Sequence, residues 1–206
     1  MGGISLRPMR FLLILGLTVL ICAPLVLQPA HAQQQRNSTP VAVPADRAER
    51  IDGLFAELRR ARNEAAAQRV ANRIWREWFR SGSATIDFLM QRADAAMKAS
   101  SHEVALDILD QVVMLAPDYA EGWNRRATLH FMMEDYAKSM SDIERTLRLE
   151  PRHFGALGGM AQILKDTGSK QLALEAYTRV LDVYPMMRSA QSEVGELAEE
   201  LAGQGI

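Results

Sequence analysis

From about residue 46 onward, apolar positions in this chain recur three and four residues apart, with charged positions between them. Leu106, Leu109 and Val113 trace one such stripe, and Leu147 and Leu149 carry it into a later segment. That period puts apolar side chains on one face of a helix. The stripes also repeat among themselves. Pro117, Pro151 and Pro185 recur at a constant step of 34 residues. The same step links Leu89, Trp123 and Leu157; Ala93, Ala127 and Ala161; Ala105, Ser139 and Ala173. It also links Leu109, Ile143 and Tyr177; Val113, Leu147 and Leu181; Leu115, Leu149 and Val183.

Each row has a physical reading. The small rows let two helix backbones approach closely. The prolines end each unit, because proline cannot continue a helix and disfavours helix in the residue before it. A fixed period of this length predicts a stacked array of helix pairs, in which no unit buries its apolar face alone.

The set of offsets resembles the tetratricopeptide repeat. The third copy reads Leu157, Met160-Ala161, Leu164, Gly168, Ala173, Tyr177, Pro185; the second reads Trp123, Arg126-Ala127, His130, Ser139, Ile143, Pro151. The first reads Leu89, Arg92-Ala93, Ala96, Ala105, Leu109, Pro117. His130 and Ala96 stand where Tyr is usual, and Arg92 and Arg126 where Leu is usual. The resemblance implies an all-α, right-handed superhelical solenoid of antiparallel helix pairs, with repeats at 86–119, 120–153 and 154–187.

Residues 46–84 read as a degenerate helix pair, with helical stretches over 46–62 and 64–80 and Ser81-Gly82-Ser83 as the following turn. Val70, Ile74, Trp75, Trp78 and Phe79 form a wide apolar stripe there, expected to pack on the first repeat, with a partner or self-association patch as the alternative. Residues 188–206 read as a polar-faced capping helix and tail, closing the open end of the stack.

The start of the chain reads as an address. Arg7 and Arg10 precede an apolar run over Phe11–Leu27, and Ala30-His31-Ala32 offers a small-x-small cleavage site. Residues 1–32 are therefore expected to be a signal peptide cleaved after Ala32, with 33–45 a Pro-spaced linker. This predicts a periplasmic or secreted protein. An uncleaved membrane anchor is the rival, at the lower edge of spanning length and broken by Pro24. A lipid on Cys22 is disfavoured by the bulk of Ile21.

Composition narrows the function. The formal net charge is −1, so nothing attracts phosphate backbones and nucleic acid is not an expected partner. Cys22 is the one cysteine, and no Cys or His cluster has zinc spacing. His102, His130 and His153 each lack a second ligand at helical spacing. No phosphate loop, zinc-protease motif or Gly-x-Ser-x-Gly is present, so no cofactor and no enzyme activity are expected. Asp142, Glu144, Arg145 and Arg148 alternate in sign, as a solvated helix face does.

What remains is binding. The resemblance implies that the first helix of each pair lines a concave groove for a protein or peptide partner. Carried onto this sequence, its contact positions are Met90, Asp94, Met97 and Lys98 in the first repeat. In the second they are Glu121, Asn124, Thr128, Phe131 and Met132; in the third, Gly158, Gln162, Lys165 and Asp166. Met adapts its shape to apolar partners, although Met90 and Met97 would equally serve packing. Some relatives clamp a peptide carboxylate with Lys and Asn; Met90 and Asp94 stand where that clamp would begin. The expected function is a non-catalytic scaffold in the periplasm or envelope. The alternative is a membrane-anchored structural subunit of an envelope assembly, with membrane contact only if the leader is retained. Self-association through open array ends is compatible with both.

Overall fold

The computed structural model describes residues 45–203 of the 206-residue chain. The expected leader, its expected cleavage site and nearly all of the expected linker lie outside the described residues. Nine helices are described: α1 (Ala45–Arg60), α2 (Glu64–Trp78), α3 (Ala84–Lys98), α4 (His102–Leu115), α5 (Ala120–Met132), α6 (Tyr136–Leu149), α7 (Phe154–Asp166), α8 (Lys170–Val183) and α9 (Arg188–Gly203). No strand occurs among these residues.

The rows of the sequence become the seams of the stack. Helices α3–α4, α5–α6 and α7–α8 pack as hairpins, and each pair packs on the next. Ala93, Ala127 and Ala161 are buried, as are Ala105, Ser139 and Ala173. The hydroxyl of Ser139 donates to the carbonyl of Ala127 at 2.9 Å, so that small polar residue is satisfied where it is buried. Pro117, Pro151 and Pro185 each follow a helix end by two residues. Helix α5 also packs directly on α7, so the stack closes up on the side of the first helices.

The turns inside the hairpins share one backbone solution. Ser100, Glu134 and Gly168 occupy the left-handed region, with φ of 56°, 58° and 80°. The next amide then reaches back to a carbonyl near the helix end, as in Ser101 N–H to Ala96 at 2.9 Å and Ser169 N–H to Leu164 at 2.8 Å. Only the third copy has the glycine that adopts this conformation without strain.

Helix α9 closes the far end. Its Ala190 and Leu197 are buried. Its acids face outward or pair with the last repeat, Glu193 with Lys165 at 2.6 Å and Glu200 with Lys170 at 2.9 Å.

The α1–α2 pair corrects one expectation. It forms, but its aromatic stripe does not pack on the first repeat. The side chains of α2 instead join one core with the third repeat: Ile74 and Trp78 are buried in the cluster that contains Phe154, Leu157 and Tyr184. Trp78 stacks on His153 with ring centroids 4.0 Å apart, and Trp75 meets Phe154 edge-on at 5.4 Å. The cause is the width of the stripe on α2. One side takes Ile51, Leu54, Phe55 and Leu58 of α1, and the aromatic side is left for a second partner. The turn at 81–83 holds this course, with Ser81 donating from both N–H and hydroxyl to Asp87 at 2.9 and 2.6 Å, and Gly82 at φ 86°.

A groove between the first helices, crossed by α2

Helices α5 and α7 present a run of small residues to one another. Ala127 of α5 faces Ala156 and Gly159 of α7, around a cavity of about 130 Å³. Phe131 and Ile143 supply its apolar walls, and Asn124, Thr128 and Gln162 its polar ones. Gly155 in the first turn of α7, and Gly158 and Gly159 further in, carry no side chain, and the two interior glycines each cost roughly 1 kcal/mol against alanine. A Cβ on Gly155 would stand 2.7 Å from the Trp75 ring, which identifies why that position is bare.

A second cleft of about 480 Å³ opens beside the first. Asn72, Trp75, Arg76 and Phe79 of α2 form one bank, and Glu121, Asn124, Arg125 and Thr128 of α5 the other. Helix α2 runs along part of the array. Its first turn is tied to the far end by Glu64 with Arg188 at 2.9 Å, and Gln68 accepts from the Tyr184 hydroxyl at 3.3 Å. Its C-terminal end reaches the junction of the first and second repeats, where Tyr119 donates to the Phe79 carbonyl at 3.1 Å and the Arg125 guanidinium lies over the Phe79 ring at 5.4 Å.

Beneath α2 sits a buried polar pair. His153, fully enclosed, accepts the Ala156 N–H on Nδ1 at 3.1 Å. Its Nε2 lies 3.1 Å from Oε2 of Glu121, itself 1% exposed. With Nδ1 accepting, the proton belongs on Nε2, which donates to the carboxylate. The same Glu121 accepts from Asn124 at 3.0 Å and pairs with Arg125 at 3.3 Å. Arg125 in turn reaches Asp94 at 3.3 Å.

The expected contact positions therefore divide. Asn124, Thr128, Phe131 and Gln162 meet at the small cavity. Met132, Lys98 and Asp166 are exposed, and Gly158 is half-buried. Gln162 donates to Asp166 at 2.8 Å and accepts from the Tyr177 hydroxyl at 3.0 Å. Burial, with the charges of Glu193 and Asp166, pushes that phenol up to about 12. Lys165 is engaged by Glu193, whose hydrogen bond holds the ammonium above its ordinary value. Three positions leave the groove surface. Met90, 6% exposed, belongs to the core of the first repeat, and Met97 packs against that core. Glu121 is covered by its own partners. A first-helix side chain faces the groove only where the next helix and α2 leave it room.

Sequence reasoning missed Arg125 and the groove bank supplied by α2. The signal for the second was present: three glycines within five residues of a helix mark a close approach. Outside the groove, Trp123 lies between the guanidinium groups of Arg126 and Arg145, at 4.9 and 5.8 Å. Asp142 is not part of a solvated strip. It is buried and accepts two hydrogen bonds from Arg126, both at 2.8 Å. Among the described residues, no group of three His, Cys, Asp or Glu side chains could hold a metal ion.

The chain is 53% identical over 170 residues to a TPR repeat-containing protein of Rhizobium etli, covering 82% of this chain and 81% of that one. It belongs to the tetratricopeptide repeat family. It also matches the small glutamine-rich tetratricopeptide repeat-containing protein 2 of Saccharomyces cerevisiae, at 25% identity over 46% of this chain and 28% of that one. No family model matches the chain. Among solved structures, the first TPR domain of Spaghetti bound to an HSP90 peptide superposes with a TM-score of 0.54 at 20% identity, over 57% of this chain and 93% of that one. The MamA protein superposes with a TM-score of 0.52 at 16% identity, over 75% and 82%. The secretion chaperone SycD of Yersinia enterocolitica, in complex with a peptide of YopD, gives 0.55 at 12%, over 60% and 97%. These structural likenesses concern the fold.

Proposed function

We propose that this tetratricopeptide repeat protein is a non-catalytic scaffold that works outside the cytoplasm, in the periplasm or cell envelope, and holds a segment of a partner protein between its first helices. One observation carries the reading. Asn124, Thr128 and Gln162 bring amide and hydroxyl groups to the mouth of a cavity walled by Ala127, Phe131, Ile143 and Gly159. Polar groups there suit the N–H and C=O of a peptide backbone, and the apolar walls suit one side chain. Solved structures of the same fold hold an HSP90 peptide and a YopD peptide. The exported address rests on Arg7, Arg10, the apolar run Phe11–Leu27 and Ala30-His31-Ala32.

The test is capture of partners from envelope extract by the chain and by Phe131→Glu and Gly159→Phe variants. Loss of capture with helicity retained supports the groove, and unchanged capture refutes it. N-terminal sequencing after fractionation tests the address. A released protein starting at Gln33 supports export, and a membrane-bound chain beginning before Phe11 supports the anchored subunit.

A further inference from the structure

The groove already holds a helix. Helix α2 lies along the array from the third repeat back to the junction of the first and second, and its contacts there are those of a ligand. It places rings on Phe154, His153 and Arg125. It meets Gly155 where no side chain stands in the way. It is tied at its first turn by Glu64 with Arg188, while its partner helix α1 is tied by Asp52 with Arg152. Helix α2 also reaches α3 through only a short turn at 79–83, and does not stack on the first repeat.

The fit is incomplete along this seam. Two buried side-chain atoms where α2 meets the repeats have no hydrogen-bond partner among the described residues, Trp78 Nε1 and Arg125 Nε. Buried polar atoms in settled protein cores are satisfied almost without exception. Phe79, the last ring of the stripe, is 43% exposed beside the cleft that separates α2 from α5. Four further such atoms lie away from the seam: Arg47 Nε and Glu77 Oε2 between α1 and α2, with Glu77 Oε2 3.7 Å from Arg50; Asp94 Oδ1, 3.3 Å from Arg125; and His130 Nδ1 in the second repeat. A seam that is aromatic, short of hydrogen bonds and open along one side can be exchanged for another of the same kind.

We infer that the rim formed by Glu121, Arg125, His153–Gly155 and Tyr184 is a helix-binding seat, that α2 is its resident occupant, and that the partner is an amphipathic helix of the same chemistry which takes the seat in its place. Such a helix carries small residues and aromatic rings on one face, as Ala67, Ala71, Trp75, Trp78 and Phe79 do here. The inference rests on the groove reading above and deepens it by naming the occupant. A tethered occupant competes at an effective concentration in the millimolar range, so it sets a threshold that a partner must exceed.

The probe is a fluorescein-labelled peptide of this chain's own residues 63–80, offered to the full chain in an anisotropy titration. The wild-type chain should take it up weakly. The variant Trp75→Ala with Arg152→Ala, which loosens the seat's hold on the tethered hairpin, should take it up about tenfold tighter or more. Hydrogen exchange of the wild-type chain supplies the second arm and needs no variant. The amides of α2 should exchange faster than the buried amides of α5 and α7, through a local opening that leaves the repeats closed. Probe affinity unchanged in a variant that keeps its helicity overturns the inference. So does exchange of α2 in step with α7, since α2 would then open only with the whole fold. Either failure leaves the small cavity and its Phe131 test untouched, so the two readings fall separately.

Discussion

Gly155→Ala should destabilise this protein, although alanine normally strengthens a helix that contains glycine. The usual gain is up to about 1 kcal/mol. At Gly155 the new methyl would lie 2.7 and 3.0 Å from two carbons of the Trp75 ring. That ring cannot slide aside freely, because it is stacked on Phe79 at 5.5 Å and set edge-on to Trp78, His153 and Phe154. Overpacking of this kind costs roughly 1–3 kcal/mol. The net should be a loss of about 1 kcal/mol, or some 2–4 °C in a domain of this size. Gly158, one turn on in the same helix, is the control. Nothing lies within 4 Å of its added Cβ, so Gly158→Ala should stabilise by about 0.5–1 kcal/mol. Urea melts followed by helical circular dichroism and by tryptophan fluorescence give both values. Combining Gly155→Ala with Trp75→Leu should recover most of the loss, because the obstructing ring is gone. A Gly155→Ala chain as stable as Gly158→Ala would refute the placement of α2 over the third repeat.

Other outcomes follow from single contacts. Ser100→Gly and Glu134→Gly should each stabilise by up to about 1 kcal/mol in urea melts, since both residues hold a left-handed φ. Arg126→Ala should cost about 2 kcal/mol, because it strands the buried carboxylate of Asp142 and frees Asp110, and Arg126→Lys should restore only part of that. Burial pushes the His130 imidazole below its ordinary value; Asp142 opposes the shift and Arg126 adds to it. Its unfolded form, near 6.5, therefore binds a proton first as pH falls. That contribution is complete above about pH 6.5 and is lost as pH drops toward the folded value, so His130→Gln should flatten the decline in urea midpoint between pH 7 and 5. Leu109→Ala, in the core of the first repeat, should cost about 2–5 kcal/mol.

The repeat was legible because it is written in residues that have few alternatives. Proline at a helix end and alanine at a helix crossing are dictated by sterics, and both recur at the same step. The hairpins, their order and the closing helix could be read from those rows. The placement of α1–α2 could not. Its amphipathic stripe showed that α2 is buried on a broad face, but a stripe does not name its partner, and the neighbour in sequence was the wrong choice. Groove positions suffered from the same limit. The spacing that puts Glu121 and Met90 on the first helices is right, yet the His153–Glu121 hydrogen bond and the first-repeat core withdraw those two side chains. Long-range contacts made by single rings and by one buried polar pair leave no periodic trace.

Where a partner touches the chain decides whether the groove is its seat. A photoreactive benzoyl-phenylalanine placed at Phe131, at the mouth of the small cavity, should give a discrete adduct with a partner polypeptide in envelope extract. The same probe at Leu172, exposed on the second helix of the third repeat, should give none. An adduct at Leu172 with none at Phe131 would contradict the groove.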